Sequence, residues 1–388
     1  SAPAFLRGGF RPFFFGAALW AALAITVWLG SLAGDFTLPS GFDPLAWHRH
    51  EMLFGFVGAA VAGFFLTAIP NWTGRLPIAG PSLAGLFGIW VAARIAVFSS
   101  GTVGILVAAV LDVGFFLTLA SVGAREVILS KNRNLPVVGI LLLFALADAG
   151  DYLATAGAIA DPLLAIRVAI GLITVMISLI GGRITPSFTR NWLARRGVRE
   201  GLPTQPGGFD KIVIGVTALA LLFWVTLPVS FGTGVLLVIA AGFQAARLSR
   251  WKGWRALPDP LLLILHVGYL WIPVGLLLLG LESAGAPIPQ SAAVHALTAG
   301  AMGTMILAVM SRASLGHTGR DLRAGGLAIL AYVLVTAGAV VRVTAYFLPV
   351  AYMTAIDCAG VLWAGAMAAF LIGYAPVLWT ARADDPNG

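Results

Sequence analysis

Apolar stretches of about twenty residues recur along this chain, each closed by charged side chains or by a Gly/Pro cluster. They fall at 13–32, 50–70, 79–98, 102–123, 136–157 and 161–183, and again at 211–230, 232–247, 258–280, 291–311, 323–344 and 349–379. A helix rising about 1.5 Å per residue crosses a hydrocarbon layer of about 30 Å in some twenty residues. The pattern therefore predicts an all-α polytopic membrane protein with about twelve transmembrane helices. Its shortest connections are the hairpins around Ser99–Thr102 and Ser230–Gly234.

Composition agrees with the pattern. Of 388 residues 59% are hydrophobic and only 10% charged, where a soluble domain carries about a quarter. The start of the chain lacks the pattern of a cleaved signal peptide, and no long soluble segment interrupts the spans. One cysteine, Cys358, excludes a disulfide framework and a thiolate metal cluster.

A net charge of +8 raises the question of nucleic acid, but the basic residues are scattered through short loops. With the N-terminus inside, 20 of the 24 Lys and Arg residues fall on inner segments, as the positive-inside rule requires. Both termini are then cytoplasmic, the partner is the lipid bilayer, and no nucleic-acid role follows. The remaining four, Arg49, Arg94, Arg167 and Arg342, lie at or near outer ends of spans. Residues 184–210 read as a solvated connector and Ala383–Gly388 as an exposed tail.

Placing His50 over His295 aligns HEMLFGFVGAAVAGFFLTAIPNWTGR with HALTAGAMGTMILAVMSRASLGHTGR without a gap, so that Thr73-Gly74-Arg75 meets Thr318-Gly319-Arg320. A fainter copy sets Gly171, Arg183 and Thr189 over Gly300, Arg312 and Thr318, with Ile166 in place of the histidine. Copies on spans 2, 6 and 10 imply three four-helix units, about 1–123, 124–247 and 248–388, with pseudo-threefold symmetry.

Five histidines, His48, His50, His266, His295 and His317, supply the metal-capable side chains. Repeat symmetry singles out His50 and His295 as a bis-histidine pair for a haem, with Arg49, Arg94, Arg167 and Arg342 near enough to hold its propionates. His48 and His50 point to nearly opposite sides of one helix, so His48 suits a second site with Glu51 and Glu282 as acidic neighbours. His266, within span 9, is either a functional intramembrane group or a hydrogen-bonded core histidine. His317 reads as structural, and Met302, Met305 and Met310 as packing. Asp112, Asp148, Asp151 and Asp357 are intramembrane acids that either relay protons or form buried ion pairs. Asp148 and Asp151 share a helix face.

Taken together, Gly9-Phe10-Arg11-Pro12-Phe13-Phe14, Trp47-His48-Arg49-His50-Glu51-Met52, Pro70-Asn71-Trp72-Thr73-Gly74 and Ser314-Leu315-Gly316-His317-Thr318-Gly319-Arg320 resemble the NnrS family. That resemblance implies a haem- and copper-containing bacterial inner-membrane protein of the nitric oxide response. Haem b is the expected cofactor and copper the second metal, bound by some set of His48, His50, His266, His295 and His317. The three-by-four plan is also similar to the catalytic subunit of haem-copper oxidases and nitric oxide reductases. Spans 6 and 7 carry no histidine, so the three-histidine metal site of that superfamily is absent.

The expected function is redox handling of nitric oxide, with reduction to N2O, Glu51 and His48 as catalytic candidates, and a quinol or a periplasmic cytochrome as electron donor. Two other classes compete. Twelve spans with internal repeats also describe secondary transporters, and the same ligands would serve a non-catalytic sensor or carrier of nitric oxide or haem.

Overall fold

A computed structural model describes residues 2–131 and 134–384; Arg133, one of the inner basic residues, and most of the tail lie outside them. The described residues hold no strand and twelve helices long and apolar enough to cross a membrane. They are α1 Phe10–Ala33, α2 Pro44–Thr73, α3 Gly80–Phe98, α4 Ile105–Leu129, α5 Leu135–Thr155 and α6 Leu164–Arg195. Then come α7 Gly208–Thr226, α8 Phe231–Ser249, α9 Pro260–Ser283, α10 Gln290–His317, α11 Gly326–Phe347 and α12 Tyr352–Trp379.

The predicted spans correspond one to one, but several helices outrun their apolar cores, α4 by six residues to Leu129 among them. α2 starts six residues earlier than the hydropathy suggests, because Asp43 accepts hydrogen bonds from the backbone of Leu45 and Ala46 (2.9 and 3.0 Å) and Pro44 opens the first turn. α10 runs on to His317. α6 continues through the arginine-rich segment to Arg195, because Thr185, Thr189 and Leu193 recur on one buried face. The connector read as 184–210 is thus half helix. Arginines there lower the mean hydropathy without breaking the periodicity.

The helices form two compact units, one of residues up to 172 with 313–321 and the chain from 370, the other of 173–312 and 322–369. In the first, aromatic rings pack onto glycines of the facing helix. A Cβ on Gly58 would meet Phe116 at 2.6 Å, and one on Gly63 would meet Phe14 at 2.7 Å. Small residues of this kind let helices approach closely in lipid, where water does not drive them together. Arg11 of the GFRPFF segment is buried and donates to the carbonyls of Leu378 and Thr380 (2.8 and 2.6 Å). It thereby satisfies open carbonyls at the end of α12. In the second unit Trp363 donates to the carbonyl of Ala299 (3.2 Å), and Tyr332 pairs with Ser311 (2.6 Å).

Three helices contain wider π-type turns: Glu51–Val57 in α2, Ile177–Gly181 in α6 and Ala296–Met302 in α10. Those in α2 and α10 begin immediately after His50 and His295 and have the same length. The α6 segment lies ten residues further along than its place in the sequence alignment.

Candidate functional site

Four helices of the first unit carry ionisable residues toward the same end. His50 is six residues from the start of α2, Asp112 seven from the start of α4, Arg94 four from the end of α3, and Asp148 seven from the end of α5. At about 1.5 Å per residue these positions lie about 6–11 Å below that end. The antiparallel hairpins bring them into one layer.

His50 is fully buried. Its Nδ1 is 2.8 Å from Asp151 Oδ2 and its Nε2 is 2.9 Å from Asp112 Oδ2. Phe42, Tyr152 and Phe54 surround the ring, with centroids 4.7, 4.9 and 5.1 Å away. Tyr152 donates its hydroxyl to Asp112 Oδ2 (3.1 Å). Arg94 donates to both oxygens of Glu51 (2.8 Å each) and to Asp112, and the Trp20 indole donates to Glu51. Asp148 is also fully buried, with Oδ1 3.8 Å from His50 Nε2. Neither of its oxygens accepts a hydrogen bond. Orphaned carboxyl oxygens of this kind are costly to bury and call for an explanation.

Reading the chain in one dimension separated His50 from the three aspartates; the fold joins them. Asp148 and Asp151 were legible as a pair one turn apart, but nothing in the sequence places α4 and α5 beside α2. Trp20 and Tyr152 carried no signal beyond their type. Asp357, counted with the other intramembrane acids, is exposed on α12.

The other expected residues, Arg94 apart, lie elsewhere. His48 stacks on Trp28 with centroids 4.0 Å apart, and Arg49 is half-buried beside it in the chain. Arg94 directs its guanidinium to Glu51 and Asp112, and Arg167 pairs with Asp161 (2.5 Å), whose carboxyl it holds below the usual range. Arg342 is half-buried in α11. His317 packs against Phe10, with centroids 5.5 Å apart. His266 is hydrogen-bonded through Nε2 to Thr189 (2.9 Å), the core arrangement that its position allowed, while its buried Nδ1 has no partner.

As candidate haem ligands, His50 and His295 differ. His295 Nδ1 donates to the Ser291 carbonyl (2.6 Å), the outer bond that fixes an imidazole tautomer and leaves ligation to Nε2. The arrangement fits an axial ligand. Both nitrogens of His50 are engaged by aspartates, so ligation there requires Asp112 to release Nε2 or Asp151 to release Nδ1.

The second unit has its own buried polar cluster, built differently. Arg247 donates to Asp210 (2.7 Å), to the Ser178 carbonyl (2.7 Å) and to Tyr269 (2.9 Å). Gln244 bridges Ser178, Thr217 and Tyr269. One carboxylate meets one guanidinium and the amide is fully bonded, which makes this cluster a fastening between helices.

The fold and this buried array define a polytopic helical membrane protein with an ionisable centre inside its spans. A family model described as NnrS protein matches residues 4–382, nearly the whole chain, and the chain belongs to that family. Membership is consistent with a nitric oxide response protein. No curated protein matches the chain significantly.

Proposed function

We propose that this chain is a haem protein of the bacterial inner membrane that takes up nitric oxide and reduces it to N2O, with both termini on the cytoplasmic, arginine-rich side. The observation that carries the reading is the array of Glu51, Asp112, Asp148 and Asp151 buried around His50 and Arg94. Ionisable groups within spans are costly, and they persist where protons, ions or metals are handled. Family membership supports nitric oxide as the ligand.

The balanced reaction joins two NO with two electrons and two protons to give N2O and water. A haem b on His295 would supply the iron that binds nitric oxide and passes the electrons on, one at a time, from a quinol or a periplasmic cytochrome. The chain's own contribution is proton supply and charge control. Glu51, held between Arg94 and the Trp20 indole, is the acid we assign to proton transfer on the outer side. Arg94 ties Glu51 to Asp112, so a proton arriving at one alters the charge seen by the other. Nitric oxide is small and uncharged, and it reaches such a centre through apolar walls without a polar vestibule.

Protein purified in detergent from haem-sufficient cells should show a Soret band that is lost in His295→Ala. With a reduced donor it should consume nitric oxide and release N2O. Glu51→Gln should keep the Soret band and slow turnover about 100-fold, within the usual range for a lost general acid. A colourless, iron-free preparation would overturn the redox reading in favour of transport. A haem that binds nitric oxide without releasing N2O would make the protein a sensor or carrier.

A further inference from the structure

Four carboxylates in the first unit's cluster, Glu51, Asp112, Asp148 and Asp151, face one guanidinium and one imidazole. If all four were ionised, two negative charges would stay unmatched even with His50 protonated, so the buried, phenylalanine-lined space must take up protons or a cation to balance them. Asp148 has no hydrogen-bond partner at either oxygen, and it lies beside the one His50 nitrogen that also meets Asp112. Carboxyls buried in this way are paired, neutralised by a proton or bound to a metal, and Asp148 has no pairing partner.

We propose that His50 Nε2, Asp112 Oδ2 and Asp148 Oδ1 are the ligands of a first-row divalent metal ion, separate from any haem on His295 and independent of the nitric oxide reading. These atoms all lie within 4.8 Å of one another. Bonds of about 2.0–2.2 Å set neighbouring ligand atoms about 2.8–3.1 Å apart in an octahedral shell and about 3.3–3.6 Å apart in a tetrahedral one. Of the observed separations from Nε2, 2.9 Å to Asp112 falls within the octahedral spacing and 3.8 Å to Asp148 lies just beyond the tetrahedral one. An ion settling here draws Asp148 inward and moves Asp112 slightly off the imidazole.

The surroundings are those of a metal-binding histidine. Asp151 accepts from Nδ1, which leaves Nε2 as the ligand and makes the imidazole a stronger donor. Arg94 and Tyr152 hold Asp112 in place. With the four carboxyls ionised, a dication in place of the imidazolium proton would leave one negative charge unmatched where there were two. One imidazole with two hard carboxylate oxygens and no sulfur suits Fe2+, Mn2+ or Zn2+ and disfavours Cu+.

The test is a Co2+ titration of the full-length, chelator-stripped protein in detergent, followed by its visible d–d absorption. We expect a band that saturates at one equivalent and is competed by Zn2+ and Mn2+. Asp148→Asn, which removes the charge of a ligand without breaking any hydrogen bond, should weaken binding at least about 10-fold while gel filtration shows an unchanged particle. Asp151→Asn should weaken affinity about 10–100-fold, as loss of an outer partner does. No saturable band in the wild type, or equal affinity in wild type and Asp148→Asn, would overturn the assignment. The Soret band and N2O release, read on the same samples, report on the haem proposal separately.

Discussion

Arg94 shows how one side chain makes an otherwise untenable cluster stable. It is the only guanidinium among the described contacts of Glu51 and Asp112, and all three are buried. Arg94→Leu strands both acids and should destabilise the protein by about 3–5 kcal/mol, the usual cost of breaking a buried pair. Thermal unfolding in detergent measures it. The double variant Arg94→Leu/Glu51→Leu should recover part of that loss, because it removes a stranded charge along with its partner. Gly55 is the complementary case. A Cβ there would lie 2.7 Å from Glu51 Oε2, 2.8 Å from Arg94 Nη1 and 2.8 Å from Trp20 Nε1. Gly55→Val should therefore cost about 1–3 kcal/mol by overpacking, whereas Gly85→Val, at a position with nothing within 4 Å, should cost less than about 1 kcal/mol. The same melting experiment compares them.

Helices α2 and α10 carry their histidines immediately before π-type segments of equal length, and such segments recur at functional sites. A π turn accommodates an extra residue, so it rotates everything beyond it relative to a regular α-helix. In α2 that rotation lets His50 and Glu51 face α3–α5 while Phe65 and Leu66 stay buried further along. Deleting Leu53 should return the segment to α-helix and displace His50 and Glu51 from the positions that the wide turn gives them. We expect loss of Co2+ binding and of N2O release with helical content by circular dichroism almost unchanged. A deletion variant that retained both would show that the wide turn positions nothing. This element was invisible in the sequence: Glu51–Val57 reads as an ordinary apolar run, because the signal of a π segment is a spacing of hydrogen bonds and not a residue pattern.

The arginine distribution supports the proposed orientation of the whole molecule. Gly197 and its neighbours, after the long α6, belong to the basic side, and Asp35, after α1, to the other. In a variant with Cys358 replaced by alanine, a cysteine at Gly197 should react with a membrane-impermeant maleimide only after permeabilisation. One at Asp35 should react in intact cells. The reverse pattern would invert the proposed orientation, placing the His50 cluster near the cytoplasm and the proton supply with it.

Twelve spans, the membrane class and the family were legible in one dimension, because long apolar runs have few ways to fold in lipid and the WHRHEM, GFRPFF and TGR segments are contiguous. Helix ends were less legible: the Asp43 cap and the arginine-studded face of α6 extend helices beyond the apolar residues that hydropathy detects. The centre itself was not. His50, Asp112 and Asp148 are separated by 62 and 36 positions in the chain. Their approach depends on how α2, α4 and α5 pack, which rests on rings seated on glycines and on one arginine shared by two acids. Each of those acids reads alone as an ordinary buried carboxyl. Only the packing leaves Asp148 without a partner, its oxygens turned toward the imidazole of His50.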